Sequence, residues 1–394
     1  MTLQPDQLEN RQLPMKILHV TLSFSRGGRR EAIVSLTRGL AALGVESQLC
    51  CINRFDCDAD AIASDFHHAL ELDRRGLLDG SALRRLRGHC RRHGIDIVHC
   101  HDAASEFTAA LALAFTTTPM LATFHRTLGF ESAQRKDRLR NALADLRASA
   151  IVVASRERRR HYLERNWVAP GKIVRIPLGI DLARFRPDPA ARAAVRTELG
   201  LSPGQRLLGA VGHFGPEKGI DVVLNAFQQL ALRPGFEDTA LLVLGTGSPE
   251  QQAQIRAAIA PGLASRIHLQ GFQPDSERWF AALDLLLHGA RAEAFGLVLV
   301  EAMACGVPVV ASAVGGIPDI VIDGATGRLV TAANAAALAA TAAELLASPA
   351  QLTTCGNHAH TRAHAEFDRA TCAARHLALY QAIQSHAALP FVDL

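Results

Sequence analysis

The feature that most constrains this 394-residue chain is a rhythm of short β-rich runs alternating with helical patterns, and the series occurs twice. The first set is KILHVT (16–21), SQLCCI (47–52), DIVHCH (96–101), PMLATF (119–124), AIVVAS (150–155) and KIVRIP (172–177). Helical segments such as EAIVSLTRGLAAL (31–43) lie between them. The second set is RLLGAVG (206–212), ALLVLG (240–245), RIHLQG (266–271), DLLLHG (284–289), VPVVAS (307–312) and GRLV (327–330). Strands that alternate with helices predict parallel sheets, since a parallel neighbour is reached only by a crossover. A chain this long also exceeds one ordinary core. The expected fold class is therefore α/β, with two Rossmann-like domains facing across a cleft. The pattern predicts a loose tail over 1–14, an N-terminal domain over 15–180, a C-terminal domain over 181–366, and a helix and tail over 367–394. The seam falls in LGIDLARFRPDP (178–189), where strand patterning stops and two prolines appear. Residues 332–347 read as an alanine-rich helix. Helical spacing of Phe367, Ala370, Ala374, Leu377, Tyr380 and Ile383 predicts a last helix packing back toward the N-terminal domain.

Composition narrows the partners. No apolar run reaches the roughly 18 residues of a spanning helix. The opening MTLQPDQLENRQLP lacks the charged start and apolar middle of a signal peptide, so a cytoplasmic protein is expected. The eight cysteines form no CxxC pair and are expected to be reduced. Residues 1–187 carry 29 Lys+Arg against 20 Asp+Glu, whereas the remainder is net acidic. A basic half points to an anionic partner: a membrane surface, nucleic acid or a phosphorylated ligand. Few aromatics and no base-reading motif put nucleic acid last. QRKDRLRNALADLR (134–147) places Leu139, Ala142, Leu143 and Leu146 on one face among basic residues, a pattern able to lie on anionic lipid.

EAFGLVLVE (293–301) frames an apolar run with two carboxylates. Gly296 is the expected entry to a helix GLVLVEAMAC, ended by Gly306 and Pro308. Glu293 then lies in the loop after DLLLHG, and Glu301 inside the helix, roughly 7 Å along its axis. A helix amino terminus attracts phosphate. Carboxylates would repel phosphate but accept hydrogen bonds from hydroxyls. The pattern suits hydroxylated rings on both sides of a phosphate bridge, as in a sugar nucleotide, with Glu293 at the sugar and Glu301 at the ribose.

RAEAFGLVLVEAMACGVPVVASAVGGIPDIVIDGATGRLV (291–330) closely resembles the Glu-x7-Glu donor region of retaining glycosyltransferases of the GT-B fold, family 4. SFSRGGRREAIVSLTRGLAALG (23–44), DIVHCHD (96–102), MLATFHR (120–126), IVRIPLGIDLARFRP (173–187) and AVGHFGPEKGIDVVLNAF (210–227) extend the likeness over most of the chain. The resemblance implies hexosyl transfer, with retention, from a nucleotide diphosphate sugar to a hydroxyl acceptor. It implies no cofactor and no metal. Lys218 would contact the diphosphate, helped by N–H groups around Phe295, Gly296 and Leu297. His125 would reach the sugar or the developing charge, and Gly27 and Gly28 would allow close backbone approach near the donor phosphate or the acceptor. Gly245, Gly247 and Gly271 would line the nucleotide pocket. The catalytic set is His125, Lys218 and Glu293; the donor set adds His213 and Glu301. His213 stands where the family commonly has an arginine, which leaves a non-catalytic nucleotide-sugar binder as an alternative. A carboxylate-pair glycoside hydrolase is the other. The family also implies cell-envelope polysaccharide, lipopolysaccharide or glycolipid synthesis, with a lipid-linked acceptor and a peripheral place on the inner face of the plasma membrane.

Weaker patterns are read plainly. GTGSPE (245–250) lacks the third glycine of a dinucleotide fingerprint. DCDAD (56–60) is expected to be a solvated loop, and His89 with His93 lacks a third metal ligand. His99 and His101 are expected to face opposite ways, with His101 nearer the cleft.

Overall fold

The computed structural model describes residues 14–25, 27–56, 59–125, 135–165 and 168–392, with backbone alone at 59, 61, 135–139 and 165. Seven strands form the first sheet: β1 (Lys16–Thr21), β2 (Glu46–Cys51), β3 (Ala69–Glu71), β4 (Ile97–Cys100), β5 (Met120–Thr123), β6 (Ala150–Val153) and β7 (Ile173–Arg175). Six form the second: β8 (Leu207–Val211), β9 (Ala240–Leu244), β10 (Ile267–Gly271), β11 (Leu285–His288), β12 (Val309–Ser312) and β13 (Gly327–Val330). The orders are β3-β2-β1-β4-β5-β6-β7 and β10-β9-β8-β11-β12-β13, and the strand pairings among the described residues are parallel. Each of the twelve predicted runs contains a strand. The central ones are largely apolar and buried, His19, His99 and His288 aside, because helices cover both faces of the sheet. β3 was not predicted; it is a short, partly exposed edge with no apolar run to announce it.

Strand order reverses between β1 and β4 in one sheet and between β8 and β11 in the other. Ligands of open parallel sheets bind beyond the carboxyl ends at such a reversal. The loops at these two points are the ones that carry His101, Lys218 and Glu293.

The chain crosses between the sheets twice at one seam. The Ile180 N–H donates to the Phe367 carbonyl at 2.9 Å, and the Arg369 N–H donates to the Ile180 carbonyl at 2.9 Å. Gly179 is required there, since a Cβ would stand 2.7 Å from the Asp368 carbonyl oxygen. Beyond the seam the helix Arg369–Gln384 joins the core of the first sheet, where Leu379, Tyr380 and Ile383 pack with Ile17, Leu40, Val152 and Val174. Phe367, Tyr380 and Ile383 are buried as predicted and Leu377 packs against the same core. Ala370 and Ala374 are exposed, while Cys372, Ala373 and His376 turn inward. Small side chains occur on both sides of this helix, so spacing alone misplaced the two alanines. In the helix Arg135–Arg147, Leu143 and Leu146 are exposed, and Ala144 and Asp145 are buried.

The seven described cysteines are free and buried, and Cys57, with the centre of DCDAD, lies outside the described residues. No helix among the described residues is long and apolar enough to cross a membrane.

Candidate active site

The turn after β8 and the turn after β11 are joined into one platform. Gly219, in the left-handed conformation at φ 61°, backs onto Gly289, so a Cβ would fall 2.0 Å from the Gly289 carbonyl oxygen. Arg291 forks onto Asp221 at 2.8 and 2.6 Å and donates to the Pro216 carbonyl at 2.8 Å. Lys218 is thereby held against the second turn. Its Nζ donates to Glu293 Oε2 at 2.7 Å, and His288 Nε2 lies 3.3 Å from the same oxygen. Burial alone would raise the Glu293 carboxyl, but the bond to His288 and the Lys218 charge outweigh it and bring the group down to about 2. Glu293 is therefore a carboxylate near neutral pH.

Beneath this carboxylate runs a pair of glycines. Gly315, at φ 58°, is packed so closely that a Cβ would sit 1.7 Å from the Glu293 carbonyl oxygen. The Gly316 N–H donates to that oxygen at 3.2 Å. The helix Leu297–Ala304 follows, entered through Gly296 at φ 111° without a side-chain cap. No side chain caps its first N–H groups, as the spacing of EAFGLVLVE implies, although the Leu299 N–H turns back onto the Gly296 carbonyl at 3.0 Å. Phe295 contributes backbone only: its ring is buried edge-on against Phe367, 5.9 Å between centroids.

Across the cleft, Gly27 precedes the helix Gly28–Ala42, again without a side-chain cap. A Cβ on Gly28 would lie 3.9 Å from Leu297 Cδ1, so two helix amino termini approach each other from opposite walls. Both carry partial positive charge. His125 lies two residues beyond β5, its Nε2 3.2 Å from His101 Nδ1. His99 and His101 do not face opposite ways. Residues two apart share a face of a pleated strand, and the two rings stack 4.2 Å apart.

The remaining predicted residues fall around the same platform. Gly245 meets Gly212 so closely that a Cβ would stand 1.9 Å from the Gly212 oxygen, and its N–H donates to the Gly271 carbonyl at 2.7 Å. A Cβ on Gly247 would lie 2.8 Å from Phe214 Cβ. His213 is exposed and uses Nδ1 to accept the Gly215 N–H at 3.0 Å, bracing the turn that carries Lys218. Glu301 stands apart from Glu293, in a small recess with Glu31, Arg38 and Arg184.

Burial, then the nearby Glu31 and more weakly Glu277, push the Glu301 carboxyl up to about 7, against the pull of Arg184. The folded chain holds a proton there that the unfolded chain releases at an ordinary carboxyl value. Stability from this group is thus present at pH 5 and falls as pH rises toward and past 7. Glu301→Gln is expected to gain about 1–3 kcal/mol over wild type at pH 8 and little at pH 5. Paired urea melts at the two pH values check this; an equal gap at both would refute it.

Three site residues were missed from the sequence. His288 looked like the end of an apolar strand, and the glycine pair at 315–316 was quoted without a role. Only the positive φ demanded at Gly315 leaves a sequence signal, a double glycine after a buried strand. A cleft of about 960 Å³ opens beside Glu293, bounded by Arg156, Arg159 and Arg160 of the N-terminal domain and by Arg291, Val314 and Asp319 of the C-terminal one. The Arg156 N–H spans it to Asp319 Oδ2 at 2.6 Å.

Two parallel sheets whose carboxyl ends meet at a cleft, with the last helix returned to the first sheet, define the GT-B architecture. The model of Glycosyltransferase Family 4 matches residues 26–184, and that of Glycosyl transferases group 1 matches residues 192–362. Together they take in both domains, and the chain belongs to the group 1 glycosyltransferases of family 4. It is 37% identical over 193 residues to a D-inositol 3-phosphate glycosyltransferase of Segniliparus rotundus, a match spanning 48% of this chain and 42% of that protein's length. With the Frankia alni protein of the same name it shares 28% identity over 355 residues, or 82% of this chain and 86% of the other. Among solved structures, Anabaena Alr3699/HepE in complex with UDP and glucose superimposes with a TM-score of 0.80 at 21% identity, covering 92% of this chain and 98% of that one.

Proposed function

We propose that this protein transfers a hexose-type sugar from a nucleotide diphosphate sugar to a hydroxyl acceptor, with retention and without a metal. The observation that carries the reading is the convergence of Lys218, two uncapped helix amino termini and a Glu293 ionised near neutral pH at one cleft. A leaving diphosphate develops negative charge, which a fixed cation and oriented N–H dipoles stabilise without reorganisation. Glu293 accepts sugar hydroxyls, and Glu301 in its separate recess accepts those of the ribose. The complex of HepE with UDP and glucose supports this class of donor by analogy.

The acceptor carries an anionic group in this reading. Arg156, Arg159 and Arg160 bound the open side of the cleft beside Glu293, and the inositol phosphate in the relatives' names has that chemistry. A lipid-linked acceptor in envelope synthesis is the second reading, favoured by Leu143 and Leu146, exposed on a basic helix. The hydrolase alternative fits poorly. It needs a protonated acid facing a carboxylate across one bond, whereas Glu293 is ionised and Glu301 opens elsewhere.

A thermal-shift panel of nucleotides and nucleotide sugars, run in EDTA with and without anionic vesicles, tests the proposal. One nucleoside diphosphate and its sugar are expected to raise Tm by several degrees at 100 times Kd. A flat panel sinks the donor reading, and vesicles that leave the protein in the supernatant remove the lipid-linked one.

A further inference from the structure

Behind the cleft, histidines of the N-terminal sheet gather on one face. His19 of β1 and His99 of β4 are register partners, and His101 stacks on His99. His99 is satisfied locally, with Nδ1 2.8 Å from the Tyr380 hydroxyl and Nε2 2.7 Å from the Thr123 hydroxyl. The other three rings form an open line. His125 Nε2 lies 3.2 Å from His101 Nδ1, and His101 Nε2 lies 3.0 Å from His19 Nδ1. At the inner end His19 Nε2 is buried and meets no polar partner among the described residues.

Burial lowers all three, His19 and His125 to about 3, with His376 adding to His19 and Arg29 to His125. Each ring is then neutral and carries a single N–H. Each nitrogen–nitrogen contact takes one proton, so the choice made at one end sets the whole line. If the bonds point inward, His19 is left with a buried N–H and no acceptor. If they point outward, His19 is left with a bare lone pair. Buried N–H groups without acceptors are the rarer of the two defects.

We propose that the line runs outward: His19 Nδ1–H donates to His101 Nε2, His101 Nδ1–H donates to His125 Nε2, and His125 offers Nδ1–H as its remaining donor. His19 and His101 are positioning residues, which touch no ligand but decide that His125 donates rather than accepts. What His125 donates to rests on the functional reading above, in which an oxygen of the sugar or diphosphate receives it.

Long-range ¹H–¹⁵N correlation spectra of the labelled protein distinguish the two tautomers without any substrate. His101 and His125 are both expected as Nδ1–H; finding His125 as Nε2–H overturns the proposal. His101→Leu removes the donor to His125, and is expected to mix its tautomers and lower kcat/KM roughly tenfold. His101→Asn sets a carboxamide nitrogen near the place of Nδ1, and is expected to restore both the tautomer and most of kcat/KM. If the His125 tautomer stays unmoved in the leucine variant, the proposal fails. Stoichiometric cobalt(II) uptake with ligand-field bands would also overturn it, since nitrogens of His19, His99 and His101 lie within 4.8 Å of one another and would then form a metal site. An outward line in a protein that turns over no sugar nucleotide supports the imidazole proposal and sinks the enzyme reading instead.

Discussion

Lys218→Ala is expected to slow release of nucleoside diphosphate from the sugar donor by roughly 10²- to 10³-fold, the usual cost of deleting one preorganised charge-stabilising group. The side chain is the cation of the turn after β8, held in place by the Arg291 fork and the Gly219–Gly289 contact, so alanine leaves the platform standing but uncharged. A second effect accompanies the first. Glu293 is buried, with Lys218 at 2.7 Å and His288 at 3.3 Å, and without the lysine its charge keeps only the hydrogen bond to His288. Stability should fall by about 2–3 kcal/mol, somewhat below the full cost of breaking a buried pair because Lys218 is 27% exposed. The two effects separate in the double variant Lys218→Ala with Glu293→Gln. It should recover much of the stability, since no unpaired charge remains, and none of the turnover. Initial rates by nucleoside diphosphate release and urea melts on both variants decide it. A single variant within fivefold of wild-type turnover would remove Lys218 from the diphosphate.

Gly315→Ala is expected to be nearly as damaging to turnover, although position 315 contributes no side chain to the site. The residue sits at φ 58°, and an added Cβ would fall 1.7 Å from the Glu293 carbonyl oxygen. No rotamer relieves a clash between a Cβ and backbone, so the turn over 293–296 must move by an ångström or more. A displacement of that size at a reacting centre costs about 10²-fold in rate. Strained backbone adds a destabilisation of about 1–3 kcal/mol. Gly324→Ala is the internal comparison: it also has positive φ, at 77°, but nothing within 4 Å of its would-be Cβ. It should share part of the stability loss and little of the rate loss. Equal rates in the two variants would show that the clash at Gly315 is absorbed elsewhere.

Much of the architecture could be read directly. Strands buried on both faces must be apolar runs, and runs such as ALLVL and LLLH have few other uses in a chain with this rhythm. Gly296 marked the start of its helix because the position needs positive φ. β3 was invisible, since three partly exposed edge residues have no pattern of their own. The last helix was found with Phe367, Tyr380 and Ile383 on its buried side, but its alanines were misplaced, because Gly39 invites Ala373 to within contact of the first helix and thereby selects small residues there. His99 and His101 could have been placed on one face from the pleat alone, and their stacking corrects the reading given them above.

The sequence by itself determined the two parallel sheets, the loop-to-helix step at 293–301 and the types of residue gathered there, because periodicity and φ requirements are local. Tertiary structure alone decided which of those residues meet. Lys218 and Glu293 are 75 positions apart, and His101 and His19 are 82 apart. Their contacts depend on strand order and on glycines packed against backbone from other loops. Those contacts in turn set the charge on Glu293 and the donor presented by His125. Such properties belong to distances through space, which no single stretch of chain encodes.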